Sequence, residues 1–531
     1  MTAARTAVVV GAGLAGLATA VAAADRGVAV TVLEKGDLAG GAASFSGGQV
    51  WVAANHLEAA QGIPDDLDAA EQYVRAVGAS HPELIDDAAL ARWLTEAPRA
   101  ARYFEDAGAV TWEIIPDYPD YHQDAPGSRA TGRYLTAAYD ARRLGAWRDR
   151  LRVSPHFPVG TGYAEILGAG LRASAFGAPP EADPLRREDR YTFGTGVVAG
   201  FLVAALERGV EILLEHTATE LCVDDGRVTG VVAETPDGAR RILDGPVVLA
   251  TSGYDWDDEL AHDFLGLTPA DRGSVAPRTL TGDGIRLARQ AGGAVVEFPA
   301  ARVPVQVGYP VDGYPGFQVA REHSLPHTFV VDRTGRRFCD DAVYWEIAES
   351  VLEPGSEHLP CFMIWDSRHH RRYGLGPTPP GGVYPPEVVS SASSLRDLGT
   401  ALGIDGVALE ATAARFSADV ASGSDPEFGR GTNTTWQRFQ GDPSNPGHPN
   451  LGPVDEPPFF GMRLTMVSTG IGLTGIAVDP DGQVLTSTGG PVEGLHAAGA
   501  AAAFTSSGTA YNSGFSLSRA ITLGLLVAER L

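Results

Sequence analysis

Cysteine is nearly absent. Three residues, Cys222, Cys339 and Cys361, are spread through 531, too few and too scattered for a disulfide framework or a structural zinc site. A reducing cytoplasm fits this usage, and no metal is expected. Basic residues are also scarce. With 41 Lys and Arg against 66 Asp and Glu, the formal charge is −25, and such a surface repels phosphate backbones, which excludes nucleic acid as a partner. Long apolar runs are missing too. The nearest imitation of a signal peptide or membrane span, Ala7 to Ala24, is interrupted by glycines at 11, 13 and 16 and ends in Asp25-Arg26, so no transmembrane segment is expected. What remains, 44% hydrophobic and 20% charged, is the composition of a large globular chain with room for several domains.

The N-terminus carries the strongest local signal. Thr6-Ala-Val-Val-Val10 is a β-branched run suited to a strand buried on both faces. Gly11-Ala-Gly13-Leu-Ala15-Gly16 opens an Ala/Leu-rich helix to about Arg26, and a second apolar strand, Val28 to Leu33, ends at Glu34. In this βαβ unit Gly11 permits the turn, Gly13 lets the backbone approach a pyrophosphate, and Gly16 lets the helix pack on the strand. The helix N-terminus offers free N–H groups, and Glu34 stands where a carboxylate accepts ribose hydroxyls. The small-residue loop after it, through Lys35, Gly40, Gly41, Ser46, Gly47 and Gly48, suits an extended dinucleotide reaching a flavin better than a nicotinamide cofactor.

A second glycine-rich element, Gly494-Leu-His-Ala-Ala-Gly499, lies near the other end, after a Val484-Leu strand and before a helix from about Phe515 to Leu531. Two such elements predict an α/β, Rossmann-like cofactor domain built from both termini. Thr195 to Glu215 reads as helix then strand, and Thr219 to Glu234 as a hairpin around Asp224-Asp-Gly226. From about Gly282 to Pro458 the pattern is aromatic, Pro-rich and irregular, with a non-helical loop at Gly374 to Pro386. The expected division is a cofactor domain at 1–278 and 461–531, with an inserted α+β substrate domain at 279–460. His122 and the His369-His370-Arg-Arg372 run read as an exposed basic face. Asp283 reads as a turn or cap residue.

The segments Gly11 to Gly16, Glu34-Lys35, Gly40-Gly41, Ser46 to Gly48, Thr281-Gly-Asp-Gly284, Thr334-Gly-Arg-Arg-Phe338 and Ala498-Gly499 resemble, in order, those of the flavoproteins related to fumarate reductase and 3-ketosteroid dehydrogenases. The resemblance spans nearly the whole chain and implies a glutathione-reductase-type FAD domain, with FAD held at Gly11, Gly13, Ala15, Gly16, Glu34, Lys35, Gly40, Gly41, Ser46, Gly47, Gly48 and Gly499. Asp117-Tyr-Pro-Asp-Tyr121 is similar to a tyrosine-rich loop of the 3-ketosteroid Δ1-dehydrogenases. Asp340-Asp-Ala-Val-Tyr344 stands where those enzymes carry an Asn-Glu segment leading to tyrosine, and Tyr511-Asn-Ser-Gly514 where they carry tyrosine and then glycine.

The fumarate-type branch clamps its substrate with arginines, because a guanidinium grips a carboxylate bidentately. Tyrosines at those sites suit a neutral carbonyl instead. The resemblance implies that Tyr511 and the Gly514 N–H stabilise an enolate oxygen, that Tyr344 removes the α-proton, and that Tyr121 assists it, with Tyr118 as rival. A phenol titrates near about 10, so either a lowered pKa or an alkaline optimum is expected. Tyr511-Asn-Ser513 also resembles the Tyr-x-Ser arrangement of the Δ4-(5α) dehydrogenases, which makes Ser513 a further candidate. The reading is α,β-dehydrogenation of a 3-ketosteroid or similar polycyclic ketone, with an unidentified electron acceptor. The alternatives are the Δ4 position, a non-steroid cyclic ketone, a carboxylate reductase and a flavin carrier without turnover.

Overall fold

The computed structural model describes residues 5–157, 160–168, 189–433 and 440–531. Its central sheet runs in the order Gln483–Leu485, Pro491–Ala497, Val247–Leu249, Thr6–Val10, Ala29–Leu33, Glu211–Leu213. All neighbours are parallel except the first pair. Val8 to Val10 are buried on both faces, as a continuous β-branched run requires. The first helix, Leu14–Asp25, is apolar all round and sunk in the core. It crosses the C-terminal helix Phe515–Ala528 closely, since a Cβ on Gly524 would stand 2.8 Å from that of Ala18.

Strands from both ends of the chain therefore lie side by side in one sheet. The expected hairpin is present as Thr217–Asp224 and Arg227–Glu234, with Arg240–Asp244 as a third strand. The expected Val484-Leu strand is present as Gln483–Leu485, and Gly494 after it sits within the next strand, Pro491–Ala497, which pairs in parallel with Val247–Leu249.

The middle of the chain is more regular than its composition implies. A second sheet in the order Phe317–Val319, Gln306–Pro310, Phe459–Ser468, Cys361–Trp365, Thr328–Asp332 organises it. Prolines mask this sheet in the sequence because they cluster in the long connections between its strands. A smaller core, with Phe329, Val331, Phe362 and Ile364, packs against the helices Leu395–Leu402 and Gly406–Ala421. Gly374 to Pro386 is a loop. No helix of the described residues is long and apolar enough to cross a membrane.

Candidate active site

A cleft opens at the carboxyl ends of the central strands, where open α/β sheets bind ligands. Gly11, Gly13, Ala15, Glu34, Lys35, Gly41 and Gly499 line it. Gly11 takes φ +111°, and a Cβ there would fall 2.4 Å from the Ala250 carbonyl oxygen. Gly16 lies beneath, where its own Cβ would stand 2.0 Å from Gly11 O. Ala15 faces Gly499, with 2.7 Å between its methyl and a Cβ placed on that glycine.

The Glu34 carboxylate is buried, and its two oxygens accept from the Ala12 N–H (3.1 Å) and the Gly36 N–H (2.9 Å). Burial pushes its pKa up while those two bonds pull it down; each oxygen keeps a lone pair for a ligand donor. Lys35 bonds Thr281 and Asp283, the latter at 2.7 Å. Asp283 opens the helix Asp283–Gln290 after Gly282. Gly40 packs on Ser44, whereas Ser46, Gly47 and Gly48 lie beyond the cleft, on the way to the tyrosines. There Gly47 O accepts from the Tyr163 hydroxyl at 2.8 Å, and a Cβ on Gly48 would strike the Phe193 backbone.

Sequence reasoning missed Thr251, Ser252, Ser516 and Leu517, which also line the cleft. Thr251 Oγ1 is buried without a partner among the described residues. The signal was available: Val247–Leu249 pairs with the first strand, so whatever leaves its carboxyl end reaches the same place. Orphaned hydroxyl, backbone cradle and helix N-terminus together fit a dinucleotide such as FAD.

The expected tyrosines converge beside this cleft from three separate segments. Tyr118 and Tyr121 lie in the loop between Glu113–Ile114 and Tyr134–Thr136, Tyr344 begins the helix Tyr344–Leu352, and Tyr511 precedes the C-terminal helix. The Tyr121 ring centre is 6.3 Å from that of Tyr511 and 6.0 Å from that of Trp345, which meets Tyr344 at 5.2 Å. Tyr344 hydrogen-bonds Tyr511. Tyr121 is bonded by Ser513 and Tyr118, and Tyr118 also accepts from Gln49 at 3.2 Å. Tyr118 therefore supports Tyr121. Burial raises the pKa of all four phenols, so of the two expectations the lowered pKa is not met.

Gly514, at φ +83°, is the N-cap of the helix Phe515–Ala528. A Cβ there would fall 2.7 Å from Trp51 N. Its own N–H has no acceptor among the described residues, so it is available to a ligand oxygen.

Buried polar groups hold these loops, and the sequence did not reveal them. Asn512 Oδ1 accepts from Tyr73 OH (3.1 Å), Tyr134 OH (3.0 Å) and the Tyr121 N–H (3.0 Å). Asp120 accepts from Trp51 Nε1 at 2.8 Å and Arg133 Nη1 at 3.0 Å. Asp340 Oδ1 accepts the Ala342 N–H at 2.9 Å and shapes the turn before Tyr344. Asp341 takes Arg430 Nη1 (2.7 Å), Arg337 Nη2 (3.0 Å) and the Val330 N–H (2.6 Å); despite its burial, the two arginines hold its pKa down to about 2.

The histidines are not an exposed basic face. His369 is buried, its Nδ1 on Pro326 O at 2.9 Å, and desolvation drives its pKa down to about 3. His122 packs on Trp345, with Nε2 3.3 Å from Tyr511 O. Their neighbours are supplied by distant segments, which no local pattern announces.

Fold and site define a flavin-dependent oxidoreductase acting on CH–CH groups. The chain belongs to the FAD binding domain family, whose model matches residues 6–517, and FAD is its cofactor. It is 32% identical over 542 residues to 4-oxocyclohexanecarboxylate 2-dehydrogenase of Sinomonas cyclohexanicum, covering 98% of this chain and 92% of the relative. It is 28% identical over 555 residues to 3-oxosteroid 1-dehydrogenase of Mycobacterium tuberculosis, covering 98% and 97%. Among solved structures it superposes on the 3-ketosteroid Δ1-dehydrogenase of Sterolibacterium denitrificans in complex with 1,4-androstadiene-3,17-dione, with a TM-score of 0.87, 26% identity and 99% of both chains covered.

Proposed function

We propose that the protein introduces an α,β double bond into a cyclic ketone, with Tyr511 and the Gly514 N–H holding the carbonyl oxygen. The observation that carries this is the unspent Gly514 N–H at the start of a helix whose first turn lines the cofactor cleft, close in sequence to Tyr511, which belongs to a cluster with the buried Tyr344 and Tyr118 and the partly buried Tyr121. Both donors gain strength as the oxygen becomes an enolate. Tyr344 takes the α-proton, and its raised pKa makes the rate climb with pH. Tyr121, backed by Tyr118 and Ser513, braces the same pocket. Bound FAD supplies the acceptor for the hydride leaving the β-carbon. The residues that would hold it are Gly11, Gly13, Ala15, Glu34, Gly41 and Gly499 in the cleft, with Gly16 beneath.

The engagement of Ser513 with Tyr121 favours the Δ1-type arrangement over the Tyr-x-Ser one. Our reading keeps a cofactor domain drawn from both ends around an inserted domain. Its second seam moves from 460 to beyond Ser468, because Phe459–Ser468 hydrogen-bonds within the inserted sheet. The likeness to the Δ1-dehydrogenase structure favours a 3-ketosteroid. A monocyclic 4-oxo carboxylate is the second reading, favoured by the 32% identity to a dehydrogenase of such a compound.

The test is to incubate the purified holoprotein with 4-androstene-3,17-dione or 4-oxocyclohexanecarboxylate and an artificial acceptor dye. Dye bleaching with a new alkene next to the carbonyl is expected with one of them. Bleaching with neither refutes the proposal.

A further inference from the structure

The C-terminal helix carries a positive charge that no acid answers among the described residues. Arg519 is 3% exposed and lies in the second turn of Phe515–Ala528, after a first turn without an acidic residue. Its Nε donates to Ser506 Oγ at 2.9 Å and its Nη2 to Ala503 O at 2.7 Å, and its Cζ stands 3.9 Å from the Phe504 ring centre. Nη1 is buried without a hydrogen-bond partner, and no carboxylate pairs with the guanidinium among the described residues. Desolvation alone pulls its pKa down to about 9, which leaves it charged at neutral pH. A buried charge without a partner is costly, and the N-terminal end of its own helix, the positive end of the dipole, adds to that cost.

The position of Arg519 shows where a compensating negative charge would arise. Ser516, Leu517 and Ala520 of the same helix line the cofactor cleft, as do Gly499 and Ala500 of the segment that runs on to Ala503 and Ser506. Arg519 is outside that lining and ties the two segments together from behind. Hydride transfer brings one negative charge into the cleft: the hydride carries both electrons of the broken C–H bond to bound FAD, which is reduced, while the substrate is oxidised and its α-proton goes to a base. We propose that Arg519 tunes the bound FAD, its uncompensated charge stabilising the reduced, negatively charged cofactor and so making the oxidised one a stronger oxidant. The inference goes beyond the choice of substrate and holds for any ketone. A guanidinium one helical turn behind the lining stands on the order of 10 Å from what fills the cleft, where a unit charge acting through an effective dielectric of about 20 biases an equilibrium about tenfold.

The test equilibrates flavin-loaded wild type, Arg519→Met, Arg519→Gln and Phe504→Leu with a reference dye of known potential in the absence of oxygen. In both neutral Arg519 variants the ratio of reduced to oxidised flavin at a fixed dye potential should fall about tenfold, which is about 30 mV for a two-electron couple. Sulfite, which adds to oxidised flavin as an anion, should bind both about tenfold more weakly. Phe504→Leu loosens the same packing but keeps the charge, and should match wild type within about twofold. Flavin potentials in Arg519→Met and Arg519→Gln equal to that of wild type would overturn the proposal. An equal fall in Phe504→Leu would overturn it too, by assigning the effect to packing, as would loss of flavin from both neutral variants, which makes Arg519 a residue of the fold alone. Because the readout needs no ketone, failure of the holoprotein to turn over any ketone would remove the desaturase reading and leave this result intact.

Discussion

Replacing Asn512 by alanine should damage the fold severely although the residue has no proposed chemical role. Its Oδ1 is the shared acceptor for two phenols and one backbone N–H, each within 3.1 Å, and the residue is wholly buried. Water has little access, so the three donors would lose their acceptor together. At about 1–1.5 kcal/mol each, the expected loss is about 3–5 kcal/mol. Urea unfolding followed by flavin release reads this directly as a lower midpoint. Turnover should fall as well, because the Tyr121 N–H is one of the three donors and its loop would lose its tie to the Tyr511 segment. Asn512→Asp keeps the acceptor but sets a carboxylate against Asp120, 3.4 Å from the present amide nitrogen, and should be no more stable than alanine. An Asn512→Ala protein within about 1 kcal/mol of wild type would refute the argument that this one oxygen ties the two loops together.

Tyr344→Phe should cut turnover about 10²–10⁴-fold and abolish the rise of rate with pH, measured by dye reduction across the alkaline range; an unchanged pH profile removes Tyr344 as base. Tyr511→Phe should lose about 10²–10³-fold in kcat through the missing oxygen donor while keeping the flavin spectrum. Asp341→Asn leaves Arg430 without its buried carboxylate partner, while Arg337 keeps only Asp425, and should cost about 3–5 kcal/mol by chemical denaturation. Because the folded pKa of Asp341 lies at about 2, below the ordinary value of about 3.9, its contribution to wild-type stability is present above the ordinary value and is lost as pH falls through about 2. The variant should show a shallower acid limb.

What the sequence disclosed is what short-range order encodes. The glycine spacing at Gly11, Gly13 and Gly16 follows from the turn and packing of one strand and one helix, so the cleft and its cofactor were legible before any coordinates. Tyr118, Tyr121, Tyr344 and Tyr511 were legible only through resemblance, since nothing local distinguishes them from packing tyrosines. Asp120 and Asn512 were hidden for a different reason. Their partners come from segments tens to hundreds of residues apart, and composition carries no record of that proximity. The same holds for His369, which reads as one of a basic run until burial strips it of charge. The inserted sheet was obscured by its long, proline-rich connections, which separate strands that pair only in three dimensions.

The shared sheet bears on how the protein matures. During synthesis the first strands are exposed long before Pro491–Ala497 and the closing helix emerge to finish the cleft. The nascent cofactor half must wait, with an apolar face exposed, until that helix emerges and docks. Flavin loading therefore follows its docking. C-terminal fusions that delay docking of Phe515–Ala528 should yield more colourless protein than equivalent N-terminal fusions.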